Sequence, residues 1–163
     1  MELVDTHAHL DDEQFASDLM AILDRAQTAG VTAIVAVGTT LHTSHRAVQL
    51  AREHPIVYAA VGIHPNYAAH AAAEDWQAIT DLACEPAVVA IGETGLDRFR
   101  DDTPFELQRD YFERHLWLSR ERQLPVIIHC RDADADAVPC LERAATTSPV
   151  RGVMHSFTGQ AAT

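Results

Sequence analysis

Two histidines stand two positions apart near the start of the chain, His7 and His9 in V-D-T-H-A-H-L. On a strand, residues at i and i+2 face the same side, so both rings could address one cation. The pair alone is weak evidence. With ten histidines in 163 residues, about 0.6 such pairs arise by chance. Groups of similar chemistry recur in similar places, however. Glu93 follows the apolar run A-V-V-A-I-G, where burying a carboxylate is costly unless it is paired or holds a metal. His129 ends the run L-P-V-I-I-H-C, with Arg131 and Asp132 just beyond. His155 ends R-G-V-M-H, and His64 lies just past A-A-V-G-I. Each of these has an ordinary structural alternative. Together they put candidate metal ligands and acid–base groups at the ends of successive apolar runs.

Those runs are the elements that must position the chemistry. Six strand-like stretches fall near residues 2–6, 33–37, 56–62, 87–92, 126–130 and 151–155. Several, such as V-T-A-I-V-A-V-G and P-A-V-V-A-I-G, are continuously apolar, the pattern of parallel strands buried on both faces. Helical patterns lie between them. Phe15, Leu19, Ile22, Leu23 and Ala26 form one apolar stripe, and Gly30 is placed to end it. Thr103-Pro104-Phe105-Glu106 reads as a capped helix start. Phe105, Gln108, Phe112, His115 and Leu116 follow along one side of that helix. Pro139 fits only a first turn, which predicts a later helix from about Asp136. Strand–helix alternation of this kind suits an open doubly wound sheet or part of a (β/α)8 barrel. In a flat six-stranded sheet the outer strands lie about 24 Å apart, at about 4.8 Å per step, and their end residues could not share a site. Curving the sheet brings the strand ends to one mouth. The expected fold is therefore α/β, of the (β/α)8 TIM-barrel type, with about the first six strands present.

Composition narrows the function. A net charge of −12 argues against binding nucleic acid by broad phosphate neutralisation. It leaves room for a nuclease whose bound divalent cations supply positive charge locally. All twelve basic residues are arginine. Cys84, Cys130 and Cys140 show no metal-binding spacing and read as thiols of a reducing compartment. There is no signal-peptide pattern and no apolar run long enough to span a bilayer. No linker-like tract divides the chain. These features predict one domain over residues 1–163, cytoplasmic, without a membrane or an obligate protein partner.

The motifs D-T-H-A-H-L-D, G-I-H-P, I-G-E-T-G-L-D, I-H-C-R-D-A and H-S-F-T-G, in this order, resemble those of the TatD family of metal-dependent hydrolases. The resemblance implies a (β/α)8 barrel holding one or two divalent cations (Mg²⁺, Mn²⁺ or Zn²⁺). It implies phosphodiester hydrolysis, with DNA as substrate and 3′-5′ exonuclease activity as one form. Under it His7 and His9 hold one cation, Glu93 bridges two and is the catalytic carboxylate, and His129 and His155 complete the second site. Asp5 would orient a histidine. His64 and Arg131 would contact a substrate phosphate, ordinary structural polar residues being the alternative. Asp97 belongs either to the mouth or to a turn beside Gly95, and Asp136 reads as a surface or helix-start carboxylate. Related amidohydrolases bridge their metals with a carboxylated lysine, which a chain without lysine cannot supply. A metal-dependent amidohydrolase, esterase or lactonase is the second reading, and an inactive fragment the third. The family pattern continues about a hundred residues past H-S-F-T-G and includes an aspartate ligand on a later strand, so the resemblance implies a C-terminally truncated barrel.

Overall fold

The computed structural model describes residues 2–157, so the last two positions of H-S-F-T-G lie outside the described residues. Six strands alternate with five α-helices: β1 (Leu3–Ala8), α1 (Leu19–Thr28), β2 (Val31–Val37), α2 (Leu41–Glu53), β3 (Val57–Val61), α3 (Asp75–Leu82), β4 (Val88–Asp97), α4 (Phe105–Arg122), β5 (Val126–Arg131), α5 (Asp134–Ala145) and β6 (Gly152–His155). The strands form one sheet in chain order, and every neighbouring pair is parallel.

Local sequence explains most boundaries. Thr40 caps α2 by accepting from the Thr43 amide, while the Thr43 hydroxyl accepts from the Thr40 amide, which satisfies two otherwise orphaned donors. Gly30, with φ +97°, turns the chain out of α1 and into β2. Three expectations needed correction. Helix α1 begins at Leu19, because Phe15 belongs to a separate 3-10 turn over Glu13–Phe15. Thr103 does not cap α4; its hydroxyl accepts from the Ala69 amide instead, and Glu106 pairs with Arg109. Helix α5 starts at Asp134 and carries Pro139 inside it. Its first turn is tied to the loop after β4 by two hydrogen bonds from Arg98 to Asp136, at 2.7 and 2.9 Å.

The core lies on both faces of the sheet. One large cluster packs Leu23, Val48, Leu50 and Ile79 of the helices against Ile34, Val57, Val61 and Ile91 of the strands. A second joins Phe112, Leu116, Ala137 and Cys140 to Leu96, Val126 and Ile128. Val37, Ala60, Ala90 and Ile127, one from each of four consecutive strands, form a third cluster. The curl of the sheet is large. His7 on β1 and His155 on β6 stack ring on ring at 3.6 Å, although these strands are the two ends of the sheet order. The six strands form a half-barrel, and their carboxyl ends converge.

Candidate metal centre

Glu93 sits at the centre of that convergence. Between Ile91 and Thr94, β4 carries three steps against the two from Val126 to Ile128 on β5, a bulge of the kind that re-aims a side chain. Gly92 and Gly95 have φ of +132° and +140°, and a Cβ at either would collide with a β5 carbonyl, that of Ile127 or His129. Only glycine fits such positions, so the G-E-T-G run is the local reason the strand can deliver Glu93 inward. The carboxylate is 4 % exposed. Its Oε2 lies 3.4 Å from His7 Nε2 and 4.0 Å from His9 Nε2. Its Oε1 lies 3.3 Å from His129 Nδ1 and 3.7 Å from His64 Nε2. Each oxygen thus faces a separate pair of imidazoles, and each group of three donor atoms falls within 4.8 Å. Burial alone would raise the Glu93 pKa. Hydrogen bonds from His129 and His7 outweigh it and hold the group below the ordinary carboxylate range.

Hydrogen bonds fix which ring nitrogens can donate. His9 Nδ1 is 3.1 Å from the Val37 carbonyl. A carbonyl only accepts, so Nδ1 carries the proton and the Nε2 lone pair faces His7 and Glu93. His7 Nε2 lies 3.4 Å from His9 Nε2, and its buried Nδ1 has no partner among the described residues. Two imidazole nitrogens and a carboxylate oxygen directed at one point form a donor set that suits a divalent cation. His129 Nε2 lies 2.8 Å from Asp97 Oδ2. Burial raises the Asp97 pKa, but bonds from the Arg100 amide, His129 and Asn66 lower it further, so Asp97 accepts and His129 Nδ1 is left towards Glu93. Burial likewise lowers the His129 pKa, but its bonds to Glu93 and Asp97 leave it raised. His64 differs. Its Nδ1 accepts from the Asn66 amide at 3.2 Å, so Nε2 carries the hydrogen and points at Glu93 as a donor. Burial pushes its pKa down to about 4, with Glu93 offsetting only part of the effect, so the ring is neutral near pH 7.

The remaining candidates are distributed around this core. His155 lines the same cavity as His9, His64, Glu93 and His129 but lies outside the two converging donor groups. Burial and the neighbouring His7 lower its pKa. Arg131 is exposed at the mouth, its guanidinium 3.8 Å from the centre of the Phe99 ring. The expected role of Asp5 needs correction: its Oδ1 accepts from the His7 backbone amide and, among the described residues, bonds to no ring. Asp97 is more than a turn residue. It accepts from His129, Asn66 and the amides of Phe99 and Arg100, and its own amide donates to Gln108 Oε1 at 2.8 Å. Sequence reading missed Asn66 and Phe99. Their only signal is position, each two residues beyond a strand-end candidate, His64 or Asp97.

A family model described as TatD related DNase matches residues 4–163. The chain belongs to this family. Among curated TatD-type relatives, the uncharacterized metal-dependent hydrolase YabD of Bacillus subtilis is 42% identical over 159 residues, which is 98% of this chain and 62% of that protein. The 3′-5′ ssDNA/RNA exonuclease TatD of a Rahnella species is 40% identical over 152 residues, or 93% of this chain and 57% of the relative. The chain therefore spans less than two thirds of the length of these relatives. The crystal structure of YjjV, a TatD homologue from Escherichia coli, superposes with a TM-score of 0.89 and 34% identity, covering 97% of this chain and 61% of the other. An uncharacterized amidohydrolase from Saccharomyces cerevisiae shares the fold, with a TM-score of 0.80 at 23% identity. TatD-type proteins are a metal-dependent hydrolase family, and this chain carries two groups of side chains able to take part in holding a metal.

Proposed function

We propose that this chain supplies the cation-binding part of a phosphodiesterase that removes nucleotides from the 3′ end of single-stranded DNA. The observation that carries this reading is the division of Glu93, one oxygen towards His7 and His9 and the other towards His64 and His129. His7, His9 and Glu93 would hold one cation, and Glu93 and His129, with His155 at the cavity wall, would serve a second. Bound there, divalent cations would lower the pKa of a water and polarise a phosphoryl oxygen. The chain's own groups then have separate tasks. The Val37 carbonyl keeps His9 in the tautomer that presents Nε2, and Asp97 does the same for His129 Nδ1. His64 offers a neutral Nε2–H donor to a phosphoryl oxygen, and Arg131 brings positive charge to the mouth of an otherwise acidic protein. The names of the TatD relatives, which include ssDNA/RNA exonucleases, support the choice of nucleic acid.

The test is digestion of single-stranded DNA labelled at its 3′ end, with Mg²⁺ or Mn²⁺. Mononucleotide release that EDTA stops is expected. Failure of a version that continues through the remaining length of its relatives to cleave any strand would overturn the reading. A second expectation concerns Asp97. Because it orients His129 from behind, Asp97→Ala is expected to weaken metal binding about 10- to 100-fold, as read by titration against a coloured chelator. Unchanged affinity would confine Asp97 to holding the loop.

A further inference from the structure

Phe99 is an aromatic ring that the hydrolytic chemistry does not use. It is 61 % exposed, yet it lines the same cavity as His64, Glu93 and His129. It is also held in place. Its amide donates to Asp97 Oδ1 at 2.8 Å, as does the Arg100 amide at 2.9 Å, so the carboxylate that orients His129 also anchors the Phe99 turn. One face of the ring carries the Arg131 guanidinium. The backbone fixes that neighbour too, because Arg131 pairs with Asp97 in the β4–β5 register and its carbonyl accepts from the Arg98 amide. Arg98 itself is engaged with Asp136, and Arg100 lies 3.8 Å from Asp102. Among the described residues no carboxylate pairs with Arg131.

An exposed ring with a cation against one face and a rigid backbone beneath is a stacking platform. We infer that Phe99 stacks a nucleobase at the end of the bound strand, the sandwich of guanidinium, phenyl ring and base setting the position of the scissile linkage over Glu93. The inference rests on the nucleic-acid reading above and deepens it. Stacking suits this protein for an electrostatic reason. At a net charge of −12 broad phosphate contact is unavailable to it, whereas every base presents a π face whose affinity needs no positive field. Such a platform makes the strand end recognisable with little sequence preference, as an exonuclease requires.

Binding separates this from contact through phosphates alone. The probe is a 5′-fluorescein-labelled thymidine octamer with a phosphorothioate at its 3′-terminal linkage, compared in Mn²⁺ with the same strand made abasic at its last two positions. The unaltered protein is expected to prefer the strand with bases by about 5- to 100-fold, the range one stacked base contributes. Phe99→Ala should erase that preference and leave the affinity for the abasic strand unchanged; Phe99→Trp should keep it and show indole fluorescence quenched by the intact strand only. Because the side chain is exposed, Phe99→Ala should retain the fold, which circular dichroism checks. If the protein binds both strands equally, or if Phe99→Ala keeps the preference, the stacking inference is overturned and the nucleic-acid reading stands. Binding of neither strand overturns both.

Discussion

Glu93→Gln is expected to lose its bound cations and, with them, hydrolysis, by more than about 10³-fold in kcat/KM, the upper end of what one lost electrostatic contact costs an enzyme. The substitution changes little volume but replaces one carboxylate oxygen with an amide nitrogen that can only donate. Whichever way the amide lies, one of the two imidazole pairs then faces an N–H2 group at the distances now held by Oε1 or Oε2, 3.3 to 4.0 Å. In the proposed centre a carboxylate shared by both groups would then serve one group at most, and the loss should exceed that from either histidine pair. Glutamine keeps the shape of the side chain, while loss of the buried charge lowers stability, so circular dichroism near neutral pH is read first to separate metal loss from unfolding. Metal analysis after gel filtration is the direct measurement. Near-stoichiometric metal in a folded Glu93→Gln protein would remove Glu93 from the centre. As the Glu93 pKa is lowered in the folded chain, its ionised form stabilises the fold above its unfolded value and that contribution fades as pH falls below it.

The strand ends were legible because burial on both faces leaves continuous apolar runs, and a polar residue that closes such a run stands out against them. His7, Glu93, His129 and His155 were visible for that reason. Curvature was legible only indirectly, from the need to bring those ends together; the stacking of His7 on His155 is its structural expression. The rest depended on geometry that spacing does not encode. Strand β4 runs on through Gly92 and Gly95 to Asp97, well past the point where its apolar run stops, so the sequence left Asp97 open between the mouth and a turn. Its partners come from the 3-10 helix after β3, from α4 and from β5, three elements that only the fold brings together. The tautomer of His64 depends on one backbone amide, that of Asn66, and no residue type announces it. Asp5 misled for a related reason. Its side chain accepts from the His7 amide two residues on, a local bond that strand spacing does not announce.

His115 was legible as part of an apolar helix face and not as anything more, and it carries the largest expected stability effect outside the site. It is fully buried. Its Nε2 accepts from the Ile63 amide at 3.0 Å, so its Nδ1–H donates to the Tyr111 carbonyl, at 2.6 Å. The ring thus ties α4 to the residue just before His64. His115→Leu keeps the apolar volume but leaves the Ile63 amide unpaired, a cost of about 1–3 kcal/mol. That cost should depend on pH. Burial pushes the His115 pKa from 6.5 down to about 4, the Tyr111 bond offsetting part and Arg114 adding to it. The unfolded chain therefore binds the proton more readily, and the neutral ring's contribution is complete above about pH 6.5 and falls away towards pH 4. Between about pH 7.5 and pH 5 the unaltered protein should lose about 2 kcal/mol through this residue alone. His115→Leu lacks that loss, whereas His64 titrates in both proteins and cancels in the comparison. Urea midpoints measured at the two pH values should show the leucine variant clearly weaker at the higher pH and close to the unaltered protein at the lower one. Parallel losses in the two proteins would mean that His115 already accepts a proton in the folded chain and does not hold the Ile63 amide as a neutral acceptor.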